Sequence, residues 1–243
     1  TQHSVKELQS LGIQPDILVL RAEHELGTGL RRKIAAFCNV SPEAVVQSLD
    51  MPTIYEVPLR MQEQGLDATI LRKLDMPVGE TPGLGPWRSF LDRRHNATEV
   101  INIGLVGKFD LQDAYKSILE ALSQAGTYND RKVKCHFINS EKINQENVAE
   151  MLAGMDGYVI CPGFGQRGIE GKIIAAQYCR ENNRPTFGIC LGMQMMVIEF
   201  GRNVLGFTDA NSAEMDAKTD HNVIDLMEDQ KNITNMGGTM RLG

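Results

Sequence analysis

Between Val100 and Phe200 the chain alternates short β-branched runs with stretches of helical period, and this alternation constrains the fold more than any other feature. The expected strands run Val100 to Val106, Val133 to Asn139, Gly157 to Cys161 and Pro185 to Ile189. The expected helices run Asp113 to Ala125, around Val148, Gly168 to Glu181 and Leu191 to Phe200. Strands separated by helices at this spacing lie parallel, joined by right-handed crossovers, with helices on both faces. The expected fold class is therefore α/β with a doubly wound parallel sheet. Ligands of such sheets sit beyond the carboxyl ends of the strands. Gly107, Pro162-Gly163-Phe164-Gly165 and Cys190 all fall at those ends, so three loops converge on one place. After Thr208 the pattern is too irregular to assign.

Upstream, Asp16 to Arg21 reads as a buried strand, preceded by a helical Ser4 to Leu11 and followed by a helix from Leu30 to Cys38. Leu59, Met61, Leu66, Ile70 and Leu74 place helical spacing over Thr53 to Asp75. From Met76 to Asn96 the pattern dissolves among Pro77, Gly79, Pro82, Gly83, Gly85 and Pro86, residues that interrupt regular structure. The expected organisation is a first domain over 1–75, a linker over 76–98 and a second domain over 99–243.

Charge narrows the partners. With 243 residues and a net charge of -6, the chain lacks the basic face that a nucleic-acid or anionic-membrane partner requires. No apolar run approaches the ~18 residues of a membrane span, and no signal-peptide order opens the chain, so a cytoplasmic location is expected. The five cysteines are scattered without a C-x-x-C pair, which speaks for reduced thiols rather than a zinc site. The start at Thr1 and the stop at Gly243 lead to the expectation of truncation at both ends.

Gly188-Ile189-Cys190-Leu191-Gly192 has the G-x-nucleophile-x-G form of an elbow, in which a sharp strand-to-helix turn presents one side chain at its tip. At a helix N-terminus, unpaired N–H groups and the helix dipole favour a thiolate. The Leu191 amide, with Gly163 from the neighbouring loop, could then receive an oxyanion. The competing reading is a buried cysteine beside packing glycines; position at a strand end favours the elbow. Cys161 and Cys179 are expected to be structural. A cysteine nucleophile also needs a base, usually histidine. His3, His24 and His95 lie outside the second domain, and His136 and His221 read as structural or solvated, so no base is expected within the chain.

Pro185 to Gln194 (PTFGICLGMQ) resembles the nucleophile segment of class I glutamine amidotransferases. Gly163 to Gly171 (GFGQRGIEG), Asp113 to Ser117 (DAYKS), Ala210 to Glu214 (ANSAE) and Gly237 to Gly243 (GGTMRLG) resemble CTP synthases specifically. Thr1 to Ser4, Gly12 to Asp16 and Lys33 to Val40 resemble the end of that family's synthase domain, an α/β nucleotide-binding domain. The resemblance implies an enzyme that makes CTP from UTP, ATP and glutamine with Mg2+. It further implies GTP as activator, CTP as feedback inhibitor and a homotetramer when intact.

On the same resemblance, Cys190 is the nucleophile, Gly163 and Leu191 form the oxyanion hole, and Gln194 and Glu214 hold glutamine. Gln2 and Lys33 match UTP/CTP-binding positions, and Arg21, Asp50 and Met51 match ATP-binding positions. Lys116, Arg167 and Glu170 fall in regions tied to GTP and a mobile lid. The family's Mg2+ carboxylates and phosphate loop precede Thr1, and its catalytic His-x-Glu follows Gly243, so no metal site is expected here and the isolated chain is expected to be inactive. Pro162 stands where the family usually has glycine, which fixes φ and removes an N–H beside Gly163. Two other readings stay open: a stand-alone cysteine hydrolase on the same sheet, and a non-catalytic nucleotide-binding or filament module.

Overall fold

A computed structural model describes residues 1–108 and 112–225. The glycine-rich motif Gly237 to Gly243 lies outside the described residues. The chain forms two units, Thr1–His95 and Asn96–Gly243.

The first unit runs α1 (Gln2–Ser10), β1 (Leu18–Ala22), α2 (Thr28–Cys38), β2 (Val45–Leu49), α3 (Val57–Glu63), α4 (Leu66–Lys73) and α5 (Gly85–Asn96). β1 and β2 pair in parallel with Leu18 opposite Val45 and Ala22 opposite Leu49. The connecting helix α2 buries Ile34, Ala35 and Cys38 against Leu18, Leu20, Val45 and Val5 of α1. It stops at Asn39, whose φ of 52° is a left-handed cap that asparagine tolerates.

Three features of this unit depart from the sequence expectation. β2 carries a buried Gln47 that masks its strand pattern. Its side chain accepts from Leu26 N–H, while its backbone exchanges bonds of 2.8 and 2.7 Å with the Gln64 amide. The helical spacing over Thr53 to Asp75 is split into α3 and α4 by Gly65 at φ 71°, which ends one helix and starts another. Inside the 76–98 stretch, α5 is a helix rather than featureless linker. Trp87 and Phe90 on α5 join Tyr55 in an aromatic cluster with centroids 5.2 to 6.0 Å apart, and Trp87 Nε1 donates to Tyr55 O at 2.7 Å.

The second unit runs β3 (Val100–Gly107), α6 (Lys116–Tyr128), β4 (Lys132–Asn139), α7 (Val148–Met151), β5 (Gly157–Ile160), α8 (Ile169–Glu181), β6 (Thr186–Gly188), α9 (Leu191–Asn203), β7 (Asn211–Ser212) and β8 (Asn222–Ile224). The first four strands make one parallel sheet in the order β4-β3-β5-β6. Alternate residues serve opposite faces. Leu105 and Val159 face Tyr115 and Ile118 around α6, whereas Val106 and Ile160 face Ala175 and Cys179 of α8. Both faces are covered, as a parallel sheet requires. α6 begins at Lys116, later than the expected Asp113, because Gln112–Tyr115 form a 3-10 turn. The segment after Thr208 supplies β7 and β8, a short parallel pair.

Register sets the site. Val106, Ile160 and Gly188 stand in one row, with Gly107 and Asn139 one step further. The loops after β5 and β6 therefore leave the sheet side by side. Among the described residues no helix is long and apolar enough to cross a membrane.

Candidate active site

β6 ends at Gly188 and α9 starts at Leu191, so only Ile189 and Cys190 make the turn. Cys190 occupies the N-cap with φ 52° and ψ -113°, a conformation that a residue with a side chain rarely adopts. The two flanking glycines are required by contact. A Cβ on Gly188 would come within 2.6 Å of Met193 N, and one on Gly192 would overlap the Ile160 carbonyl. The turn is closed by Gly192 N–H donating to Ile189 O at 2.8 Å and Gln194 N–H to Cys190 O at 3.1 Å. Leu191 N–H is among the first donors of α9, which have no partner within the helix. Cys190 is exposed, whereas Cys38, Cys161 and Cys179 are buried and Cys135 is half-buried. Burial pushes the Cys161 thiol up to about 12 and raises Cys179 as well.

Gly163 lies in the loop after β5 at φ 153°. A Cβ there would sit 3.7 Å from Leu191 Cδ2, 3.7 Å from Lys108 Cε and 3.8 Å from Lys172 Nζ. The expected oxyanion pair, Gly163 and Leu191, is thus brought together. Gln194 is half-buried in the first turn of α9. Glu214 is exposed just after β7, and its loop meets the loop after β5 where Gln166 Nε2 donates to Met215 O at 3.4 Å.

Two lysines escape the sequence reading. Lys108 Nζ donates to Phe164 O at 2.6 Å and lies 5.1 Å from the centre of the Phe164 ring. Lys172, on α8, is fully buried and donates to Cys161 O at 2.7 Å. Burial, aided by Lys108 and opposed by Cys161 and Cys190, draws its ammonium down to about 8. Its signal was present in the chain: Lys172 falls at i+3 on the stripe Ile169, Ile173, Ala176, where an apolar residue belongs.

The remaining expected residues are dispersed. Lys116 pairs with Glu120 at 2.6 Å, Arg167 with Glu141 at 3.2 Å and Glu170 with Arg202 at 3.1 Å. In the first unit Arg21 Nε, near the end of β1, meets Oδ1 of Asp50, which follows β2, at 3.2 Å. Met51 lines a 340 Å³ pocket with Glu56, Arg60, Arg88 and His95. Gln2 and Lys33 are exposed on α1 and α2.

Both histidines of the second unit have other partners. His136 bonds Asn102 at 2.9 Å, and His221 bonds Asp209 at 2.6 Å while stacking on Phe207. Among the described residues no group of three or more His, Cys, Asp or Glu has the arrangement of a metal site. A groove of 480 Å³ along β6 and α9 is lined by Phe187, Met196, Phe200 and other residues without a titratable group.

Residues 1–76 match the model of the CTP synthase N-terminus, and residues 110–243 match that of class I glutamine amidotransferases. The chain is 73% identical over 245 residues to a CTP synthase of Bacteroides thetaiotaomicron, covering 100% of the chain and 46% of that protein. It is 59% identical over 244 residues to a CTP synthase of Porphyromonas gingivalis, covering 100% of the chain and 45% of that protein. The chain thus spans about half the length of the curated relatives it matches. Among solved structures it resembles the glutaminase domain of Trypanosoma brucei CTPS with bound acivicin. That match has 36% identity and a TM-score of 0.52, over 58% of this chain and 54% of that one.

Proposed function

The chain belongs to the CTP synthase family and carries its class I glutamine amidotransferase domain, and on that premise we propose that Cys190 is the nucleophile of glutamine hydrolysis. One observation carries the reading: an exposed cysteine at φ 52° and ψ -113°, at a helix N-terminus, with Gly163 packed beside the following residue. The thiolate attacks the side-chain amide carbon and forms a C–S bond. Leu191 and Gly163 N–H groups receive the oxyanion. Collapse breaks the C–N bond, ammonia leaves with a proton from the general base, and water then cleaves the thioester to glutamate and free thiol. Gln194 and the Glu214 carboxylate hold the substrate, the latter facing its ammonium group.

In the complete enzyme the ammonia aminates UTP to CTP at the expense of ATP, with Mg2+ bound by residues outside those described. Gln2 and Lys33 contact the pyrimidine nucleotide, Arg21, Asp50 and Met51 the ATP, and Lys116, Arg167 and Glu170 the activator GTP or its lid. CTP acts as feedback inhibitor of a homotetramer. The general base of this step is a group other than the residues named above.

The test is labelling with a diazoketone analogue of glutamine, read by peptide mass spectrometry. Label is expected on Cys190, slow in this chain and faster in the full-length protein, and absent from Cys190→Ala. Equal labelling of all five cysteines would overturn the reading.

A further inference from the structure

Lys172 has no exposed surface, and among the described residues no carboxylate pairs with it. Burying an ammonium costs several kcal/mol unless hydrogen bonds and charge compensate, and an apolar residue of similar volume would fill the space at lower cost. Packing therefore does not account for a lysine here. Its neighbours do: Nζ donates to Cys161 O at 2.7 Å, makes a longer 3.5 Å contact with Pro162 O, and stands 3.8 Å from where a Gly163 Cβ would be.

We propose that Lys172 is a positioning residue of the Cys190 centre: its buried ammonium gathers the Cys161 and Pro162 carbonyls, orienting Gly163 N–H, and supplies positive charge that favours the Cys190 thiolate. The proposal rests on the reading of Cys190 as nucleophile. In a trans peptide the carbonyl and the following N–H point in opposite directions. Holding Pro162 O toward the ammonium turns Gly163 N–H the other way. Proline already fixes its own φ, so the freedom left to this peptide plane is rotation about ψ of Pro162 and φ of Gly163. The ammonium restrains that rotation.

The electrostatic half rests on proximity: Leu191, next to Cys190, brings its Cδ2 to 3.7 Å from the Gly163 Cβ position, and Lys172 Nζ stands 3.8 Å from that same point. The charged or titratable groups that Lys172 senses are Cys161, Lys108 and Cys190. Cys161 is held as a neutral thiol by burial, and Lys108 is a second cation on the same loop through Phe164 O. Cys190 is the remaining thiol of this set, and it is the exposed one. Lys172 itself is charged below about 8 and loses its proton above, so the device operates at neutral pH and weakens in alkali.

The test uses the 243-residue chain and three variants: Lys172→Met, Lys172→Gln and Lys172→Arg. Cys190 alkylation by iodoacetamide is followed at pH 7 by mass spectrometry, alongside amide exchange across Gly163 to Gly165. Met and Gln are expected to slow Cys190 alkylation about tenfold, the effect of one unit in a thiol's ionisation. Arg should stay within about threefold of the parent. Amide exchange in the loop should quicken in the Met variant. A Met variant that melts like the parent and alkylates Cys190 at the parental rate overturns the proposal.

If Lys172→Met does not fold, the parent chain carries the test. Its amide exchange at Gly163 should quicken beyond the intrinsic pH dependence as Lys172 deprotonates above about pH 8, and exchange that follows the intrinsic dependence alone overturns the proposal. Failure of the glutamine analogue to label Cys190, with the Lys172 effect intact, would strike only the substrate assignment.

Discussion

Gly192 lies against Ile160 so closely that a methyl group on it would overlap the Ile160 carbonyl oxygen and stand 3.2 Å from the Ile160 Cβ. The close approach joins the first turn of α9 to the end of β5, and it holds the Cys190 turn beside the Gly163 loop. Gly192→Ala is therefore expected to cost about 1–3 kcal/mol through overpacking, seen as a lower urea midpoint. It should also displace the elbow, seen as changed Cys190 alkylation in the protein that remains folded.

Thiol reactivity should be ordered by burial. At pH 8 only about one Cys161 in ten thousand is ionised if its thiol titrates near 12. Cys179 and Cys135 are also raised by burial, and Cys38 is buried. Timed alkylation with peptide mapping should find Cys190 modified first and Cys161 only after denaturation.

Arg180 and Glu199 are an asymmetric pair. Arg180 Nε lies 3.1 Å from both carboxylate oxygens and Nη2 2.7 Å from one, yet the Glu199 side chain is only 3% exposed against 35% for Arg180. Arg180→Met leaves a buried carboxylate without its cation and should cost about 3–5 kcal/mol. Glu199→Gln leaves a partly solvated guanidinium and should cost less, about 1–2 kcal/mol. Urea unfolding of the two variants checks the order; equal losses would mean that solvent reaches Glu199.

Acid should loosen the loops around β7 and β8. The hydrogen bond from His221, with others from Thr219 and Asp220, holds Asp209 down to about 2 from a usual 3.8. A depressed carboxylate contributes stability that is present above its unfolded value and lost as pH falls through its folded value. The contribution is thus full above about pH 4 and fades toward pH 2. Exchange protection at the Asp220 amide should follow that window in the parent chain, and Asp209→Asn should lack it at every pH.

Much of the second unit was legible in the chain because its information is local. Apolar alternation along Leu105, Val106, Val159 and Ile160 marks a strand with two covered faces, and Gly188-Ile189-Cys190-Leu191-Gly192 marks a turn that only glycine flanks permit. The strands, their parallel sense and the place of Cys190 at a strand end follow from such patterns. Ligand roles for Gln2, Lys33 and Arg21 rest on resemblance alone, since these side chains are exposed.

What a periodic pattern does not carry is the partner of a face. The sheet order β4-β3-β5-β6, which puts the Gly163 loop beside Cys190, is set by pairing between distant segments. α5 exists because Trp87 and Phe90 meet Tyr55, more than 30 residues earlier, while the local prolines and glycines argue for a break. Gln47 belongs to a strand because Gln64 and Leu26 complete its hydrogen bonds. Lys172 interrupts an apolar stripe in the sequence, but only when α8 packs does desolvation turn it into a buried cation beside the loop that carries Gly163. The sequence by itself determined the strands and helices around the second unit's main sheet and the turn that carries Cys190, because steric and periodic rules act within a few residues. Tertiary structure decided which groups surround that cysteine, because burial and charge depend on neighbours remote in the chain.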